Sequence, residues 1–226
     1  MNLPCSHYTS IYKKQIVALS GLFLIGYVII HLLGNLLVFG GPERFNEYAK
    51  KLVSLRPGLY IIELGLFFIF IIHIYFTYLV IIENLTARGQ RYRIITPVGQ
   101  RSLATRLMPY TGTILFAFVI WHVIDFTLTD HQGPRSIMPN GESLGLYGVV
   151  YHSFGHPWHS AGYILAMVAL GFHLSHAIQS CFQTFGFNHP VYTALIRRLS
   201  NGLGVLIATA LSTIPIYILF DSIRNK

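Results

Sequence analysis

Apolar residues run long enough to cross a bilayer five times along the chain, at about 16–38, 59–82, 107–128, 160–181 and 203–220. A hydrocarbon core is spanned by roughly 20 residues of helix. A segment crossing alone must satisfy its own backbone hydrogen bonds, so each run is predicted as an α-helix. Turn chemistry separates them: Gly40-Gly41-Pro42, Arg56-Pro57-Gly58, Thr96-Pro97, a stretch from Asp130 to Trp158 bearing glycine and proline, and His189-Pro190. No internal repeat is visible. The pattern predicts an all-α fold, an integral membrane bundle of five transmembrane helices forming a single domain over 1–226. The first run is too long for a signal-peptide core and has no small-x-small cleavage site at its end, so it is read as a retained span.

Composition agrees. Of 226 residues, 53% are hydrophobic and 11% charged, about half the charged share of a soluble domain, and the mean hydropathy is +0.55. The net charge of +8 does not indicate nucleic acid, because the basic residues sit in short segments between apolar runs. Anionic headgroups or an acidic protein partner fit better. The two cysteines, Cys5 and Cys181, form no CxxC or CxxCH, which excludes covalent c-type haem attachment and gives no support for a disulfide framework. With a cytoplasmic N-terminus, nine Lys and Arg face inward against seven outward. The loop 84–106 carries Arg88, Arg91, Arg93, Arg101 and Arg106 and no acidic residue, which favours that orientation.

Among the 11 histidines, four lie one to a span: His31, His73, His122 and His173. A single intramembrane histidine often just hydrogen-bonds a neighbouring helix, but intramembrane ionisable groups are rare and usually functional. At about 1.5 Å per residue, His31 and His122 each lie roughly 22 Å from the inner start of their helices. His73 and His173 run the other way and fall roughly 12 to 14 Å from the inner end. Two pairs at two depths is what two stacked bis-histidine haems require. Zinc fits less well, since a tetrahedral site wants three or four ligands at one level. Gly34, one turn from His31, and Gly171, before His173, are consistent with a bulky planar cofactor. His176 rivals His173, three residues away on one helical face. His7, His131, His152, His156, His159 and His189 fall in terminal or loop segments and are read as interfacial, although the run from Tyr151 to His159 could bind a metal at the outer surface.

The segments Lys13-Lys14-Gln15 leading to His31-Leu32-Leu33-Gly34-Asn35, Trp121-His122-Val123, and Gly171-Phe172-His173-Leu174-Ser175-His176 with Phe182-Gln183-Thr184 resemble the di-haem cytochrome b subunit of succinate dehydrogenase and fumarate reductase complexes, in its single-polypeptide, five-helix class. The resemblance covers nearly the whole chain. It implies an anchor in the bacterial cytoplasmic membrane that carries two haem b groups. Such an anchor binds a flavoprotein (FAD) subunit and an iron-sulfur subunit, and passes electrons between them and membrane quinone, usually menaquinone. By match to the family motifs, His31 and His122 would ligate the distal haem and His73 and His173 the proximal one, leaving His176 beside a ligand or a propionate. Some fumarate reductases of this class place a glutamate two residues before the fourth-helix ligand. Here that position is Gly171, which puts the proton pathway it supports in doubt.

A quinone takes up protons with its electrons, so its site needs a titratable or hydrogen-bonding group near a haem edge. Glu63, ten residues outward of His73, is the candidate for proton transfer, and Asp125 is expected at the same level. The alternative for Glu63 is an interfacial pair with Arg56. Ser20, Lys14 and Arg106 are candidates beside the inner haem's propionates, and the basic loop from Arg88 to Arg106 for docking the iron-sulfur subunit. Two other functions remain open: the cytochrome b anchor of a hydrogenase or formate dehydrogenase, and a haem-free membrane protein whose histidines relay protons.

Overall fold

The computed structural model describes residues 9–86, 103–138 and 140–225. Arg88, Arg91, Arg93 and Arg101 of the basic loop lie outside them. Among the described residues there are seven α-helices: α1 Ser10–Asn35, α2 Pro42–Ser54, α3 Gly58–Thr86, α4 Leu103–His122, α5 Gly145–Phe154, α6 Pro157–Thr184 and α7 Pro190–Arg224. A 3-10 turn extends α1 over Leu36–Gly40, and a π turn extends α4 over Val123–Thr127. Among the described residues the only β pairing is an isolated bridge between Ile137 and Ser143.

Five of these helices are long and apolar enough to cross a membrane, Ser10–Gly40, Gly58–Thr86, Leu103–Thr127, Pro157–Thr184 and Val191–Arg224. They match the five expected runs but extend beyond them where capping allows. Thr9 caps α1, its hydroxyl accepting from the Tyr12 N–H and carrying helix through Tyr12, Lys13 and Lys14. The largest extension is in α7, which starts at Pro190 rather than 203. Proline at the first position suits a helix start because its missing N–H needs no partner there, and the His189 side chain accepts from the Val191 N–H. Charged residues such as Arg197 and Arg198 interrupt an apolar run without interrupting a helix.

The connections assigned to turns contain two further helices. Gly41, at φ 88°, reverses the chain into α2, which lies across the end of the bundle against α5. Asn46 of α2 joins the two, donating to the Leu144 carbonyl at 2.7 Å and accepting from the Tyr147 N–H at 3.1 Å. Beneath them Val38, Phe45, Tyr147, Val150, Phe154, Tyr163 and Ile218 form a buried apolar cluster. This end is the capped end of the bundle.

Helix α6 is the centre of the molecule, packing on α7, α4 and α1, while α3 packs on α1. The α6–α7 crossing is close because Gly171 and Gly204 face each other. A Cβ on Gly171 would lie 3.0 Å from Ala208 Cβ, and one on Gly204 would lie 2.7 Å from the Gly171 carbonyl oxygen. In contrast, α1 and α4 scarcely touch, nor do α3 and α6, among the described residues. No residue of α3 is buried, although it is apolar on every side, the reverse of a helix built to face water.

Candidate functional site

The weakly packed pairs, α1 with α4 and α3 with α6, are those that carry the predicted histidine pairs. His31 of α1 and His122 of α4 meet across the gap with ring centroids 5.6 Å apart and planes at 86°. Their common depth, expected from residue counting, is therefore present. Tyr27 stacks on His31 at 5.5 Å, and Phe118, Phe126 and Tyr163 surround His122 at 5.7, 5.4 and 6.0 Å. His122 Nδ1 is buried without a hydrogen-bond partner among the described residues. A buried polar nitrogen in this state is completed by water, an ion or a ligand.

His73 and His173 lie within electrostatic reach of one another, and each is held by a hydroxyl on a neighbouring helix. Ser20 Oγ sits 3.1 Å from His73 Nδ1 and donates its own hydrogen to the Ile16 carbonyl at 2.7 Å. Thr111 Oγ1 sits 3.3 Å from His173 Nδ1 and donates to the Leu107 carbonyl at 3.1 Å. A hydroxyl has one hydrogen. With it committed to a carbonyl, the oxygen is left to accept from the imidazole, an arrangement that favours the proton on Nδ1 and a lone pair on Nε2. His176, one turn further along α6, is engaged separately, with Nδ1 3.1 Å from Thr105 Oγ1.

Several smaller assignments change. Gly34 gives no room to a cofactor: a Cβ there would strike the Tyr48 hydroxyl of α2 at 2.6 Å. Gly171 faces α7, so a glutamate side chain at that position has no space. The glycines beside the histidines are Gly21, whose Cβ would lie 3.3 Å from His73 Cε1, and Gly112, whose Cβ would lie 3.6 Å from His173 Cε1. Lys14 and Arg106 are exposed. The buried cation at the open end is Lys13, 1% exposed and paired with Glu83 of α3. Lys13 precedes Ser20 by two helical turns and shares its face, the signal by which it was legible.

Asp125 is fully committed. Its carboxylate accepts from Arg135 at 2.7 Å and from the Tyr163 hydroxyl at 2.9 Å. His159 Nε2 lies 2.7 Å away, close enough for an ion pair though out of line for a hydrogen bond. Arg135 continues to Ser153. The group ties the π turn after His122 to α5, α6 and the connecting loop, and leaves no free carboxylate for a substrate. Glu63 is 3.7 Å from Arg56, both side chains are more than a third exposed, and Arg56 lies over the Tyr60 ring. An exposed pair of this kind contributes about 0–1 kcal/mol and is readily opened. Glu63 also acts electrostatically on Tyr27, the residue stacked on His31. Nearby, an apolar groove of about 550 Å3 runs between α1 and α3, lined by Phe23, Gly26, Tyr27, Ile62 and Gly65 among others.

Among the described residues no group of three or more His, Cys, Asp or Glu side chains converges as a metal site. Compared with models of protein families, with curated proteins and with solved structures, the chain matches none.

Proposed function

We propose that the chain is a membrane-embedded cytochrome b, the di-haem anchor of a succinate:quinone oxidoreductase in a bacterial cytoplasmic membrane, with its N-terminus inside. The observation that carries the proposal is the meeting of His31 and His122 across the place where α1 and α4 stand apart, with His73 and His173 on the second such pair of helices. The His31 and His122 ring centroids, 5.6 Å apart, lie within about 1 Å of the spacing, about 6.3 Å, of two imidazoles that share one ion through bonds of about 2 Å, and lone pairs on His73 and His173 are of the kind an iron needs. The residues present therefore fit two haem b groups, one of which His31 and His122 would hold and the other His73 and His173. Membrane embedding is supported by the five long apolar helices and by the exposed apolar surface of α3.

When bound, haem supplies reversible one-electron transfer at iron. The chain's own residues set its surroundings. Ser20 and Thr111 fix the ligand tautomer and ring angle of the inner pair, as partners behind metal-bound imidazoles generally do. Tyr27, Phe118 and Phe126 exclude water around the outer pair. Menaquinone is the proposed substrate, its isoprenoid tail accommodated by the groove between α1 and α3 and its head near Tyr27 and the outer pair. Glu63, released from Arg56, exchanges protons with it at a carboxylate oxygen. The soluble partners proposed are a flavoprotein subunit and an iron-sulfur subunit docking at the open end, which holds Lys13, Glu83 and Arg106.

A reduced-minus-oxidised visible spectrum of the purified chain tests the proposal. A b-type α band with two haems per chain is expected, and replacement of His31, His73, His122 or His173 by alanine loses one haem each while replacement of His176 does not. A chain that binds no haem would refute it and leave a proton relay. Co-purification of a flavin-bearing subunit with succinate oxidation separates the succinate-linked complex from a hydrogenase or formate dehydrogenase anchor.

A further inference from the structure

The histidines of the capped end are not used by the electron path. His152 stands in the last turn of α5, and His156 is the residue that caps α6, where its side chain makes no capping hydrogen bond. A helix N-cap normally holds Ser, Thr, Asp or Asn, whose oxygen accepts from the first turn. Here an imidazole occupies the position and is left over for another use. Both side chains are exposed, and their ring centroids are 5.1 Å apart with planes at 73°.

That separation has chemical content. With a metal–nitrogen bond of about 2.1 Å, a metal lies about 3.2 Å from each imidazole centroid, and two ligands at a tetrahedral angle then have centroids about 5.2 Å apart. Edge-to-face rings also pack at this distance, and metal titration separates the two. The two rings come from either side of the corner between α5 and α6, His152 from the last turn of one helix and His156 from the extended residue that precedes the other.

We propose that His152 and His156 form a two-imidazole site for a borderline divalent cation, Zn2+ or a similar late first-row ion, at the capped end of the bundle. Water completes the coordination shell, because the nearest other donors are taken: His159 lies on Asp125, and Asp125 is held by Arg135 and Tyr163. The C-terminal end of α5 favours a cation and the N-terminal end of α6 opposes one, so the two imidazoles set the affinity. A bound ion joins α5 to α6 across Gly155. It thereby braces the corner that also holds Ser153, Arg135 and Asp125, without touching the haem ligands.

The test is calorimetric titration of the tag-free, detergent-solubilised chain with ZnCl2, with haem content measured on the same samples. One saturable site in the micromolar range is expected, accompanied by a higher melting temperature. His152→Ala and His156→Ala should each weaken binding about tenfold or more, and His159→Ala should not. Chemical modification of the wild-type histidines by diethyl pyrocarbonate, with His152 and His156 protected by Zn2+, gives the same answer without variants. Absence of a saturable site, retention of binding in either variant, or protection of other histidines instead would overturn the proposal. Each outcome is independent of haem: a chain without haem that binds Zn2+ through this pair refutes only the cytochrome reading, and a di-haem chain that ignores Zn2+ refutes only this one.

Discussion

Replacing Ser20 by alanine probes the proposed inner haem site through a single oxygen. Ser20 Oγ is the acceptor for His73 Nδ1 at 3.1 Å, and the residue is buried, so no water takes its place. A neutral hydrogen bond is worth about 1 kcal/mol net, and one to a charged partner about twice that. The bond is stronger when the iron is ferric, because the ligand then carries more positive charge. Only this difference, at most about 1 kcal/mol, enters the reduction potential. For a one-electron couple about 59 mV corresponds to a tenfold change in equilibrium, so the inner haem's midpoint should rise by roughly 20–40 mV in Ser20→Ala. Thr111→Val should act in the same direction and less, because its contact with His173 is 3.3 Å, at the weak end of the hydrogen-bond range. Both variants act on the same inner haem, and the outer should not move. Potentiometric titration of the α band reads both couples. A shift in the outer couple, or none in either, would refute the tautomer argument.

Three further outcomes follow from particular contacts. Glu83→Ala strands the nearly inaccessible Lys13 ammonium and should destabilise by about 3 kcal/mol, whereas Lys13→Met, which leaves an accessible carboxylate, should cost far less; thermal unfolding in detergent compares them. Gly204→Ala places a Cβ 2.4 Å from Ser175 Oγ and should cost about 1–3 kcal/mol by overpacking, while Gly26→Ala, with nothing within 4 Å, should be neutral in the same melt. Glu63→Gln should cut quinone-coupled turnover and leave both haem spectra intact, and unchanged turnover would remove Glu63 from the proton path.

That His31 and His122 share a level was legible in the sequence. The pairing of His31 with His122 followed from counting residues along helices, because a membrane span has a fixed rise and nearly fixed depth. Which side chains stand behind the histidines was not legible. Ser20, Thr111 and Thr105 are ordinary hydroxyls in sequence, and only the lateral arrangement of helices brings them to Nδ1 atoms. The roles of Gly34 and Gly171 were misassigned for the same reason: adjacency in sequence to a histidine does not say which neighbour a helix face meets. Asp125 was placed at the right depth, but its partners Arg135, His159 and Tyr163 come from other elements.

The sequence by itself determined an all-helical chain with five segments apolar and long enough to span a membrane, and the level of each histidine along its helix. Both are one-dimensional properties, set by local hydrogen bonding and by apolar run length. Tertiary structure alone decided azimuth: that α1 and α4 stand apart with their histidines meeting, that Gly171 opens onto α7, and that the His152 and His156 rings meet at a helix corner. Rotation about a helix axis costs an apolar membrane helix almost nothing, since its surface is apolar on every side. Packing of small residues and a few hydroxyl and ionic contacts therefore fixes what hydropathy leaves undetermined.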